Sequence, residues 1–263
     1  MKFMISADTD VGIRKKTNQD SLLVKQYETH IGNVALAVLC DGMGGFDKGE
    51  VASSAVVKAF AQWGNTHLAS ISESEQYHRI WREQWTALIS DMNAKIMNYG
   101  KSQGIKLGTT VVAMLLTQNC YYLMNIGDSR AYEIRENRVV QMTKDQTFIS
   151  REVDLGHMTA EEAAADQRKN VLLQCVGASD RVYPDMFYGE IKPDTTYMLC
   201  SDGFRHVITE EEIYRMLAPE LLADDKTAKA NIRYLINLNM RRNEQDNITS
   251  AVVKTSWEDM QYA

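Results

Sequence analysis

Three apolar runs in this chain stop at an aspartate: "VALAVLC" leads to Asp41, "YYLMNIG" to Asp128 and "YMLCS" to Asp202. Two more carboxylates, Asp20 in "TNQDSLLV" and Asp246 in "EQDNITSAVV", stand just ahead of apolar runs. Taken singly, each is a turn residue, since Asp and Asp-Gly commonly end strands. Together they say more. In antiparallel neighbours the C-terminal end of one strand lies beside the N-terminal end of the next, so all five can share one rim. Clustered carboxylates raise one another's pKa unless a cation neutralises them. An oxygen-only donor set suits Mg²⁺ or Mn²⁺, and the glycine after Asp41 lets the Gly42 carbonyl come close to such an ion.

Other readings of the glycines in "DGMGGFD" fit less well. The stretch misses G-x-G-x-x-G because Asp47 holds the last glycine position, and no G-K-[ST] follows. No EF-hand ladder of oxygen ligands is present either.

The elements that must position these carboxylates are β-rich. Strand patterns occur at 2–6, 21–26, 34–40, 109–116, 121–126, 131–135, 138–142, 187–191, 196–200 and 248–254. The four runs from Thr109 to Met142, parted by "TQN", "GDSR" and "EN", predict an antiparallel meander. Helical periodicity predicts helices over 51–68, 75–97 and 223–240, the second with Tyr77, Ile80, Trp81, Trp85, Leu88, Met92 and Ile96 on one face. Strands clustered between helix pairs, without βαβ alternation, give an α+β class with mainly antiparallel sheets covered by helices. Residues 145–184 read as a charged, short-helical surface excursion with a capping box at Thr159 and Glu162. With three prolines and no linker, the 263 residues are expected to form a single domain.

A net charge of −6 argues against a nucleic-acid or anionic-membrane partner, and no apolar run approaches the ~20 residues of a membrane span. A cytoplasmic protein is expected. The scattered Cys40, Cys120, Cys175 and Cys200 lie in or beside apolar runs and read as small core residues.

"DGMGG", "GTTVVAMLL", "NIGDSRAY", "LCSDGF" and "QDNITSAVV", preceded by "TDVGIRKKTNQDS", resemble in order the motifs of the metal-dependent PPM-type (type 2C) serine/threonine protein phosphatases of bacteria. The resemblance runs from Met4 to Lys254. It implies a β-sandwich flanked by helix pairs in four layers, with two Mn²⁺ or Mg²⁺ ions at one edge. Asp41 would bridge the ions and the Gly42 carbonyl would ligate one. Asp202 and Asp246 would hold the other, and Asp20 would orient water. Asp128 would help Asp202 bind a third, weaker ion. It further implies attack by a metal-bridging hydroxide on phosphoserine or phosphothreonine, monomeric action on the phosphoprotein substrates of a cognate kinase, and a flap at 145–184 suited to substrate choice.

The chain departs from the family pattern at two places. Lys15 stands where a phosphate-binding arginine is usual, with Arg14 one residue early, and a bulge would let Arg14 take its place. Met43 and Phe46 stand where a histidine is common, so water is the expected proton donor, and His206 is expected to be structural. Two rivals remain: a non-catalytic phosphoprotein-binding module on the same fold, and a phospho-acceptor receiver domain, which would need repeated βα units.

Overall fold

The computed structural model describes residues 1–43, 48–71 and 75–257; the expectation placed on Phe46 lies outside them. The strands are β1 (Lys2–Asp10), β2 (Ser21–Thr29), β3 (Gly32–Cys40), β4 (Gly42–Met43), β5 (Gly108–Thr109), β6 (Val111–Leu116), β7 (Cys120–Ile126), β8 (Arg130–Arg135), β9 (Arg138–Gln141), β10 (Asp185–Glu190), β11 (Thr195–Cys200) and β12 (Ile248–Ser256). The helices are α1 (Gly49–His67), α2 (Glu75–Gln103), α3 (Phe148–Asp154), α4 (Ala160–Ala165), α5 (Asp202–Arg205), α6 (Glu210–Leu217) and α7 (Asp225–Arg241).

Two five-stranded sheets run in the orders β1-β12-β11-β8-β9 and β10-β7-β6-β3-β2, and β4 pairs with β5 apart from them. The pairings are antiparallel, which rules out the receiver-domain topology.

The apolar run of β3 shows why the sheets stack. Side chains alternate across a strand. Val34, Leu36, Val38 and Cys40 pack with Phe60 and Trp63 of α1 and with Trp81 and Trp85 of α2. Ala35, Ala37 and Leu39 face the other way, into a cluster with Tyr197, Leu199 and Val253 of the facing sheet. That sheet's outer face, through Met198, Cys200 and Val252, packs on Ile213, Leu217, Ile232, Leu235 and Ile236 of α6 and α7. A strand buried on both faces reads as a continuous apolar run. The result is the expected four layers: helix pair, sheet, sheet, helix pair.

The predicted meander is corrected. β6 pairs with β7 and β8 with β9, but β7 and β8 belong to different sheets. "GDSR" is therefore a crossing between sheets rather than a hairpin turn. Gly127, at φ +101°, supplies the left-handed backbone that begins it. Several elements also outrun their apolar patterns: α2 continues to Gln103, and β1 and β2 reach Asp10 and Thr29. The excursion holds α3 and α4, and the capping box at Thr159 and Glu162 is formed.

Candidate metal centre

Asp41 follows β3, where two threonines fix the backbone. Its amide donates to Thr110 Oγ1 at 3.0 Å, and its carbonyl accepts from Thr109 Oγ1 and from the Thr110 amide, each at 2.9 Å. The next residue sits where chains cross. A Cβ on Gly42 would lie 2.4 Å from the Gln19 carbonyl oxygen and 2.5 Å from that of Gly49, so only glycine fits there.

Asp20 precedes β2, whose Ser21 pairs with Cys40, which brings Asp20 beside Asp41. Asp202 opens α5 directly after β11, and Asp246 precedes β12, the neighbour of β11. Asn247 ties the "RKKTNQD" loop to this point. Its Oδ1 accepts from the Gln19 amide at 2.9 Å, while Nδ2 donates to the carbonyls of Val11 and Thr17 at 2.9 and 3.2 Å. Asp128 comes in from the crossing between the sheets.

The rim expected from the sequence is thus assembled. Asp41, Gly42, Asp128, Asp202 and Asp246 line one cleft of about 270 Å³ together with Lys15, Gln19, Met43, Thr110, Asn170 and Leu172. Asp20 lies buried just behind, within the field of Asp41, Asp202 and Asp246. Asn170 and Leu172 show that the 145–184 excursion reaches the site.

The electrostatics call for a cation. Burial first, then neighbouring carboxylates, push Asp41 well above the ordinary carboxylate range. Burial also lifts Asp20 to about 7, with Asp202 and Asp246 adding, against the hydrogen bond that Thr249 donates to it. Asp128 is lifted to about 7 by burial and by Asp202, with Arg205 opposing. Asp20 Oδ1 and Asp202 Oδ1 are buried without a hydrogen-bond partner. Such orphans are costly, and a divalent ion with its bound water would satisfy both oxygens and charges. Among the described residues no three Asp, Glu, His or Cys side chains are already closed into a ligand cluster, so the donor set and its charge, rather than a finished cage, fit the ions.

Lys15, not Arg14, is brought to the cleft. Lys15 Nζ lies 2.7 Å from Asp246 Oδ1. Burial lowers its pKa, but Asp246, Asp41 and Asp202 outweigh that and leave it raised. Arg14 instead donates to Gln245 and is exposed. His206 spans Asp202 Oδ2 at 3.5 Å and Glu244 Oε2 at 3.4 Å, a bracing position.

The residues that hold these carboxylates in place carry no motif of their own. Thr249 Oγ1 donates to Asp20 Oδ2 at 2.6 Å, and Thr249 itself meets Thr9 Oγ1 at 2.7 Å. Asn247, Thr110 and Arg205 were likewise unread. The only signal was position: "DNIT", "GTT" and "DGFR" place them within three residues of the carboxylates or of the strand that faces them.

Two stacked sheets, helix pairs outside and carboxylates gathered at one rim make a site suited to divalent cations. The family model "Protein phosphatase 2C" matches residues 13–237, and the chain belongs to that family. It is 31% identical over 257 residues to the protein phosphatase PhpP of Streptococcus pneumoniae, covering 97% of this chain and 98% of that one. Among solved structures it resembles the Streptococcus agalactiae serine/threonine phosphatase, with a TM-score of 0.81, 29% identity and coverage of 97% and 100%. It also resembles the catalytic domain of PstP in complex with two manganese ions, with a TM-score of 0.78, 28% identity and coverage of 97% and 99%. The chain is a metal-dependent protein-serine/threonine phosphatase.

Proposed function

We propose that Asp41, the Gly42 carbonyl, Asp202 and Asp246 hold two divalent ions, with Mn²⁺ or Mg²⁺ as the metal. Asp41 would contact both ions, the Gly42 carbonyl one of them, and Asp202 and Asp246 the other. Bound there, the ions supply a lowered water pKa and a positive field for in-line displacement at phosphorus. The observation that carries this is the convergence of carboxylates from separate strand ends on one cleft, with buried oxygens of Asp20 and Asp202 left unpartnered.

The chain's own residues do the rest. Asp20, held through Oδ2 by Thr249, presents its free Oδ1 to orient the attacking water. Lys15 attracts the phosphate dianion as a point charge, without the fixed fork of an arginine. Among the described residues lining the cleft there is no histidine, so the leaving serine or threonine oxygen takes its proton from water. Asp128 stands on the outer side of the core, the position at which the resemblance puts a third, weaker ion. Asn170 and Leu172 let the 145–184 excursion touch the bound phosphoprotein and contribute to substrate choice.

In this reading the 263 residues act as one domain and as a monomer in the cytoplasm, on proteins phosphorylated by a partner kinase. No helix among the described residues is long and apolar enough to cross a membrane. Hydrolysis of p-nitrophenyl phosphate tests the reading: chelator should abolish it, Mn²⁺ should restore it, and Asp202→Ala should remove it with the fold intact. Undiminished turnover in excess chelator refutes the two-ion reading, and a metal-loaded protein without turnover favours the binding-module alternative.

A further inference from the structure

Arg205 closes the short helix that Asp202 opens, and its side chain is only 15% exposed. It turns toward the outer carboxylate. Nη2 donates to the Asp128 carbonyl at 3.1 Å and to Asp145 Oδ2 at 3.3 Å, and it lies 4.0 Å from Asp128 Oδ2. The last contact is an ion pair without a hydrogen bond. Nε of the same guanidinium is buried with no partner.

Asp145, the first residue of the excursion, is already gripped by a second arginine. Arg130 Nε and Nη2 donate to its two oxygens at 2.8 and 2.7 Å, and Nη1 donates to the Tyr132 hydroxyl at 2.9 Å. Arg130, Asp145, Arg205 and Asp128 therefore form a row of alternating charge. Their side chains are 24%, 16%, 15% and 10% exposed, and charges so far from water must be paired. Asp145 alone cannot balance two guanidinium groups. With the carboxylate of Asp128 ionised, the formal charges of the four side chains sum to zero.

We propose that Arg205 is the resident cation of the outer carboxylate: it neutralises Asp128, so that the cleft takes two divalent ions and no third. This rests on the reading that the rim carboxylates hold divalent ions. An ion approaching Asp128 would meet a fixed positive charge about 4 Å from the same carboxylate, in a half-dry setting where charges are weakly screened. The carboxylate would have to leave one cation to serve another. Replacing Arg205 with a neutral residue leaves Arg130 matched to Asp145 and frees Asp128 for an ion.

Counting bound Mn²⁺ tests the proposal. The metal-stripped protein is titrated with Mn²⁺ alone, and the unbound ion is read by electron paramagnetic resonance. Wild type and Asp128→Asn should each bind two ions. Arg205→Gln should bind a third, weaker one, which the Arg205→Gln, Asp128→Asn double variant loses. Arg205→Lys keeps the charge and should stay at two. A folded Arg205→Gln that stops at two ions overturns the proposal. So does a wild type that binds three and drops to two in Asp128→Asn, a comparison that decides the matter even if Arg205→Gln fails to fold. Two ions in every variant sink the role of Arg205 alone, whereas none in the wild type sinks the metal reading and this inference with it.

Discussion

Replacing Asp20 with asparagine should make the metal-free protein more tolerant of alkaline pH. Burial above all, with Asp202 and Asp246 adding, lifts this carboxyl from its ordinary 3.8 to about 7. A carboxyl whose folded-state pKa is raised destabilises the fold in its ionised form. That penalty is absent below the unfolded value near 4 and complete above about 7. For Asp20 it amounts to about 4 kcal/mol at pH 7.5 and about 2 kcal/mol at pH 5. Both figures are ceilings, because Asp202 and Asp246 share the repulsion. Asparagine removes the charge, and its carbonyl can still accept from Thr249, but its amide adds a buried donor at a cost of about 1–3 kcal/mol. That cost does not vary with pH. The diagnostic is therefore the pH slope: the stability of Asp20→Asn relative to wild type should improve by about 2 kcal/mol between pH 5 and 7.5. Urea unfolding in chelator at the two pH values measures it. Saturating Mn²⁺ should reverse the ranking, because the ions stabilise the ionised wild type more. A difference between the two proteins that does not change with pH would show that Asp20 is not a buried carboxyl with a raised pKa.

Lys15→Ala should raise KM by about tenfold, the worth of a charged contact of about 1.4 kcal/mol, and Lys15→Arg should leave KM equal or lower. Arg14→Ala should change neither constant, and steady-state kinetics on a phosphopeptide decide the matter. In Gly203→Ala the new Cβ would fall 2.3 Å from the Asn247 carbonyl oxygen. The strand end beside Asp202 must then shift, at about 1–3 kcal/mol, and calorimetry should show weaker Mn²⁺ binding. Trp85 is fully buried against Phe60, Trp63 and Trp81, at ring distances of 5.1, 5.4 and 5.2 Å. Trp85→Ala should cost about 3–5 kcal/mol in urea unfolding while leaving the number of bound ions unchanged.

Much of this architecture was legible because burial writes itself into sequence. The run Val34–Cys40 is continuous since β3 is covered on both faces, and its arrest at Asp41 marks the rim. The polar tails of β1 and β2 were hidden because exposed edge residues such as Thr9 and Glu28 carry no apolar alternation. The crossing at Gly127–Ser129 was misread because a short polar break looks the same whether the next strand joins the same sheet or the facing one. The supports of the site were harder still. Thr249 meets Asp20 across 229 residues, and Arg205 meets the Asp128 carbonyl across 77. No local spacing announces such pairs. Lys15 shows the middle case: its place in the motif was readable, but its partner Asp246 comes from the other end of the chain.

Anomalous diffraction at the manganese edge, from crystals grown with Mn²⁺, locates the ions among these carboxylates. Two strong peaks are expected in the cleft, with Asp41 touching both, the Gly42 carbonyl on one, and Asp202 and Asp246 on the other. Manganese held elsewhere on the chain, or a cleft in which Asp41 and Asp202 contact no ion at saturating Mn²⁺, would contradict the two-ion reading.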